Sequence, residues 1–166
     1  MSRAFVREPD GMDVVDELPE LPQEPIPNYV TPEGMAALEA WAESLKKERY
    51  ELKDHDESIV DASKLAHVLR DLRYVEGRID HAVVVDMAEQ PQDEVAFGAC
   101  IVAKDENGET HAWRIVGENQ SDLDAALVSW VSPLARALHG AQVGDVVTWR
   151  RPAGDLELEV KKISYP

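Results

Sequence analysis

Cysteine is almost missing from this chain: Cys100 stands alone among 166 residues. No internal disulfide can close, so packing and hydrogen bonding must supply the stability, and a reducing, cytoplasmic compartment is expected. Long apolar runs are missing too. Nothing approaches the roughly 20 residues that span a bilayer, and the opening "MSRAFVREPD" has no apolar signal core. Positive charge is scarce, with 17 Lys and Arg against 33 Asp and Glu for a formal charge of −16. Diffuse attraction to nucleic acid or to anionic lipid is therefore disfavoured, and a basic partner surface suits the chain better. No Gly-rich phosphate loop, nucleophile elbow or catalytic triad is visible.

What is present divides into three regions. Residues 1–30 hold prolines at 9, 19, 22, 25 and 27 among seven acidic groups and only two basic ones. A stretch such as "ELPELPQEPIP" sustains neither a helix nor a sheet ladder, so an extended, disordered tail is expected. Helical signals then begin abruptly. Thr31 is a good cap, Pro32 suits the first helical position, and Glu33 complements the dipole. Met35, Leu38, Ala42, Leu45 and Leu52 follow a three-four spacing to about Asp54, with Arg49 interrupting it. The spacing returns in Ala62, Leu65, Leu69, Leu72 and Ile79, with Glu76 as the exception. Two helices of similar length on so short a link must fold back as an antiparallel hairpin over residues 31–82, with its tip at 54–61. At about 24 residues per arm it reaches about 36 Å.

Between the helices lies "ELKDHDESIVD", with five carboxylates and one imidazole. Such a cluster serves either as a solvated turn, since acidic groups favour the start of the second helix, or as a holder of something positive. His55 between Asp54 and Asp56 makes a poor tetrahedral cage without a thiolate, so no intrinsic metal is expected. The histidines at 67, 81, 111 and 139 show no ligand spacing.

From residue 83 the period changes. Apolar runs at 95–103 and 110–116 flank Asp105, Glu106, Asn107 and Gly108, which predicts a β-hairpin. "ALVSWV" predicts a third strand, and "SPLARALHG" a short helix capped by Ser132, with Pro133 first and Gly140 closing it. A second hairpin turns around Pro152 to Asp155. Trp113, Trp130, Trp149, Leu134, Ala137 and Leu138 are expected in or against the core, and Cys100 as a small buried apolar residue. The fold class is α+β: a helical hairpin followed by an antiparallel β domain, residues 83–166, with one short helix.

Three segments, "EGRIDHAVVVD", "FGACIVAKDENGETHAWRIVG" and "SPLARALHGAQVGDVV", resemble the GreA/GreB transcription factors over residues 31–166. The "MSR-FV" start with its acidic lead-in is similar to one subgroup of Gre-like proteins. The resemblance implies that the β domain is FKBP-like and docks at the rim of the secondary channel of bacterial RNA polymerase, while the coiled coil enters the channel. Family members are not enzymes by themselves. Two acidic tip residues, in a motif like "GD-x-x-E-N-A-E-Y", help hold a magnesium ion in the polymerase active site, where a water then cuts backtracked RNA; hard Mg2+ takes oxygen ligands.

In this chain the motif is altered. Asp61 stands near the family's Glu and Ser58 near its Asp, "ASKL" replaces "NAEY", and Asp54, Asp56 and Glu57 lie close enough to substitute in kind. The arms are also about one heptad shorter than the family's, which removes about 10 Å of reach. The resemblance therefore implies tip residues Asp61, Glu57, Asp56 and Asp54, Mg2+ shared with the polymerase, and no cofactor of the chain's own. Lys46, Lys47, Arg49, Lys53, Lys64, Arg70 and Arg73 are either solvated flanks or contacts to channel walls and the nascent RNA 3′ end. Asp105 and Glu106 are candidates for the polymerase interface, and a monomer is expected. A non-cleaving inhibitory regulator, a prolyl isomerase of FKBP type and a coiled-coil adaptor stay open as alternatives.

Overall fold

The computed structural model describes residues 18–23, 26–54 and 59–166, with residues 53, 54 and 59–61 described in backbone alone. It divides into two compact units, one of residues 1–24 and 41–77 and one of residues 25–40 and 78–166. Among the described residues no helix is long and apolar enough to cross a membrane. The extended tail expected over residues 1–30 is corrected at its end. Residues 18–23 have no regular secondary structure, but Asn28–Val30 forms strand β1. Residues 1–17 lie outside the described residues.

Helix α1 runs Pro32–Asp54 and α2 runs Ile59–Asp80, close to the expected arms. Thr31 caps α1, its Oγ1 accepting from the Gly34 N–H at 3.1 Å. Glu33 sits in the first turn, and hydrogen bonds from its own backbone N–H and from Thr31 hold its carboxyl below the usual range. In the first unit the arms run antiparallel: Trp41 in the first half of α1 meets Tyr74 in the second half of α2, with ring centroids 6.1 Å apart. The expected α1 stripe is buried at Leu38, Ala42 and Leu45 and half-buried at Met35 and Leu52. On α2 it differs by one residue in alternate rows. Leu72 is buried as expected, but its companions are Val68 and Val75, whereas Leu69 is only half-buried and Ala62 is exposed. The sequence 65, 68, 72, 75, 79 is a strict alternation of three and four, and it places Glu76 beside the seam rather than in it.

The second unit begins with β1, which pairs in parallel with β2, Ala82–Val84. Five further strands form one sheet: β3 Cys100–Asp105, β4 Thr110–Val116, β5 Leu127–Ser129, β6 Val146–Trp149 and β7 Leu156–Ser164, in the order β5-β4-β3-β7-β6. The two predicted hairpins are the β3–β4 and β6–β7 pairs. The third strand differs from an all-antiparallel reading, since β5 joins β4 in parallel. Helix α3, Pro133–Leu138, is capped by Ser132, whose Oγ accepts from the Ala135 N–H at 3.1 Å, and Gly140 follows with φ +77°. It buries Leu134, Ala135 and Leu138 in a core with Ile101, Ile115, Leu158 and Val160; Trp113, Trp130 and Trp149 pack partly buried against that core. Ala135 takes the inward place expected of Ala137, which is half-buried. Cys100 is half-buried rather than enclosed.

The end of α2 is tied into this unit by Arg78, which is 4% exposed. Its guanidinium donates to Asn28 Oδ1, to Asn119 Oδ1 at 2.8 Å and to Glu118 Oε2 at 2.9 Å, and Asn28 Nδ2 returns a bond to the Arg78 carbonyl at 2.7 Å. A buried cation so fully paired is costly to interrupt, because removing one partner strands the others. Arg78→Ala is expected to lower unfolding free energy by about 3 kcal/mol. Urea denaturation of the full chain measures it, with Leu123→Ala, at an 83% exposed position, as a control that changes stability by less than about 0.5 kcal/mol.

Candidate functional site

The acidic tip is placed by two helix ends. Asp54 is the last residue of α1 and Asp61 the third of α2, so four residues, 55–58, make the connection. Asp56 and Glu57, with His55, lie outside the described residues, as do the side chains of Asp54 and Asp61.

Along the arms most of the candidate cations already have carboxylate neighbours. Lys46 Nζ lies 2.9 Å from Glu43 Oε1, and that hydrogen bond raises the lysine's pKa. Lys47 stands 3.9 Å from Glu51. Arg70 grips Asp71 with Nε at 2.9 Å and Nη2 at 2.7 Å. Arg73 donates to Glu20 Oε1 from Nε at 2.9 Å and from Nη2 at 2.5 Å. Arg49 occupies a seam position and is half-buried, while Lys64 is exposed; the side chain of Lys53 lies outside the described residues. The exposed pairs of Lys46, Lys47 and Arg73 exchange readily for a partner's charges, being worth under about 1 kcal/mol each, whereas Arg70 and Asp71 are half-buried.

In the second unit, the β3–β4 turn separates its two acidic residues. Glu106 is exposed. Asp105 is turned inward, its side chain 3% exposed. Its Oδ1 accepts from the N–H groups of Asn107 and Glu109, each at 2.9 Å, and its Oδ2 lies 2.9 Å from His111 Nε2, which donates to it. The His111 ring stacks on Trp113 at 5.2 Å and 6°. Spacing along the chain reveals no partner for His111 because the contact is made across the hairpin. One ligand atom each from Asp105, Glu109 and His111 come within 4.8 Å of one another, yet both Asp105 oxygens are already engaged in fixing the turn.

A cavity of about 550 Å³ opens in the same unit, lined by Tyr29, Phe97, Ile115, Trp130, Arg136 and His139 among others. Tyr29 meets Trp130 edge-on at 5.1 Å and Phe97 at 6.0 Å. Its aromatic wall went unseen in the sequence because Tyr29 arrives from a segment read as tail.

Residues 90–165 match the family described as "Transcription elongation factor, GreA/GreB, C-term". Transcription elongation factor GreA of Alkalilimnicola ehrlichii is 34% identical over 145 residues, 86% of this chain and 90% of that protein. The chain belongs to the GreA/GreB family. Transcription elongation factor GreB of Neisseria meningitidis serogroup B is 30% identical to this GreA/GreB chain over 153 residues, covering 83% and 94%. Among solved structures, GreA factor homolog 1 of Thermus thermophilus aligns at 24% identity and a TM-score of 0.40, covering 81% of this chain and 97% of that one.

Within this GreA/GreB chain the Asp105 turn makes a pH-dependent contribution. The hydrogen bond from His111, with those from the Glu109 and Asn107 N–H groups, outweighs burial and holds the Asp105 carboxyl below its ordinary value. A carboxyl lowered in the folded state stabilises fully above its unfolded value of about 4, and that contribution is lost as pH falls through the lower folded value. Asp105→Asn is expected to lower the urea midpoint at pH 7, and its gap from the parent should shrink steadily between pH 4.5 and 2. A gap constant across that range would contradict the assignment.

Proposed function

We propose that this chain is a secondary-channel factor of bacterial RNA polymerase that modulates backtracked or paused elongation complexes in the cytoplasm, acting as a monomer and not as an enzyme by itself. One observation carries the reading: in a member of the GreA/GreB family, the carboxylates at 54, 56, 57 and 61 fall in or beside a four-residue connection between two antiparallel helices. Helix α1 alone, at 23 residues, extends about 35 Å, enough to carry charge well away from its own first turn. There the chemistry available to Asp61, Glu57, Asp56 and Asp54 is oxygen ligation of Mg2+ held by the polymerase. Lys46, Lys47, Arg49, Lys53, Lys64, Arg70 and Arg73 would meet the channel walls and the RNA 3′ end, and Glu106, on its exposed turn, the channel rim.

The altered tip motif and the shorter arms favour modulation over efficient cleavage, because ligation fails when a carboxylate is misplaced by about 1 Å. On stalled, backtracked complexes the parent protein is expected to change pause lifetime with little shortening of the RNA. Asp61→Ala with Glu57→Ala should reduce that effect by about tenfold while leaving the protein folded. Robust RNA shortening that the double variant abolishes would make the chain a true cleavage factor, and absence of any effect on pausing would refute the proposal.

The aromatic-walled cavity favours a second reading, a prolyl isomerase, since known isomerases of FKBP type line an apolar pocket with aromatic residues; fold and pocket alone do not confer activity. A proline-peptide assay at micromolar protein is expected to show no turnover. Turnover that Trp130→Ala removes would reverse the ranking.

A further inference from the structure

Residues 18–23, "LPELPQ", lie against α2 within the first unit. The Leu-Pro repeat has a period of three, the period of an extended polyproline helix. It separates two rows: Leu18 and Leu21 are half-buried, whereas Glu20 and Gln23 are exposed overall and each reaches α2. Glu20 takes both Nε and Nη2 of Arg73. Gln23 lies over Gly77, where an added Cβ would stand 2.8 Å from the Gln23 Nε2. Arg73 and Gly77 are one helical turn apart, so the segment ascends α2 in the direction of its chain, reading a cation and then a gap without a side chain.

From this geometry we propose that the α2 face from Arg73 to Gly77 is a docking surface for an acidic Leu-Pro segment, and that residues 18–23 of this chain occupy it as an internal competitor for the acidic surface that Arg73 would otherwise meet on the polymerase. Masking rests on the function proposed above; docking does not. The occupant is argued from charge and tether. Residues 1–30 carry seven acidic groups and two basic ones, and the covalent link keeps their local concentration high at no cost in translational freedom. An exposed Glu–Arg pair is weak enough to be displaced by a denser field of carboxylates or phosphates.

The test uses the full chain with Glu20→Ala, Arg73→Ala and the swap Glu20→Arg with Arg73→Glu. In polymerase-free protein, 1H–15N NMR is expected to show that Glu20→Ala shifts the Arg73 Nε–H signal and the backbone amides from Asp71 to Gly77. The swap should return those amides toward their parent positions. Amides that ignore Glu20→Ala would overturn the docking. Against core RNA polymerase at low salt, Glu20→Ala is expected to tighten binding about two- to fivefold, and Arg73→Ala to weaken it to a similar degree. If Arg73→Ala weakens binding while Glu20→Ala leaves it unchanged, the masking is wrong and the proposed function stands. If no variant, parent included, binds polymerase, the proposed function and the masking fall together, and the NMR result still decides the docking.

Discussion

Burial obliges polar groups to find partners, and in the second unit that obligation falls on one short segment. Thr31, the cap of α1, and the guanidinium near the end of α2 are both buried. Residues 117–120 answer both: Gln120 exchanges hydrogen bonds with the Thr31 hydroxyl, at 3.1 and 2.8 Å, while Glu118 and Asn119 receive Arg78. The segment approaches so closely that a Cβ on Gly117 would stand 2.6 Å from the Tyr29 carbonyl oxygen, and one on Gly34 would overlap the Gln120 side chain. At Gly117 the obstacle is backbone, which cannot swing aside, whereas at Gly34 it is the far end of the Gln120 side chain. The β1–β2 pair, the beginning of α1 and the end of α2 share this arrangement, and losing any member would leave buried donors without acceptors.

The elements whose signals are local were legible in the sequence. Thr31-Pro32-Glu33 and Ser132-Pro133 start their helices with a hydroxyl cap and a proline, the Asp105–Gly108 and Pro152–Asp155 turns close the two hairpins, and Leu38, Ala42 and Leu45 of α1 are buried where their period places them. What escaped depended on distant partners. Asn28–Val30 follows prolines that deny it any local ladder, and only the remote Ala82–Val84 makes it a strand. The α2 seam was ambiguous because leucine occupies 65, 69 and 72 while valine holds 68 and 75; leucine's larger apolar area favours the wrong row on one helix face until a partner selects between them. Asp105 read as a surface turn former, and a cross-strand imidazole turned it inward. At the tip, residue type was legible, and residues 55–58 lie outside the described residues.

Cations on both helical arms stand beside carboxylates. Lys46, Lys47, Arg70 and Arg73 stand in short-range pairs with Glu43, Glu51, Asp71 and Glu20, so the arms present many cations whose fields are locally cancelled. Such a surface keeps a protein of charge −16 from offering an open basic stripe to arbitrary polyanions, while a partner with closely spaced carboxylates or phosphates can still exchange for the internal ones. Specificity of this kind comes from competition between weak pairs rather than from a strong permanent contact.

The antiparallel course of α1 and α2 gives the connection between them an electrostatic asymmetry. Peptide dipoles leave partial positive charge where α2 begins and partial negative charge where α1 ends. Asp61 stands on the welcoming side, but Asp54, the final residue of α1, is set against the carbonyl end of its own helix. A sequence selected for stability alone would carry lysine or asparagine there. By position alone, a cation near the end of α1 would be favoured both by the helix terminus and by an acidic residue at 54.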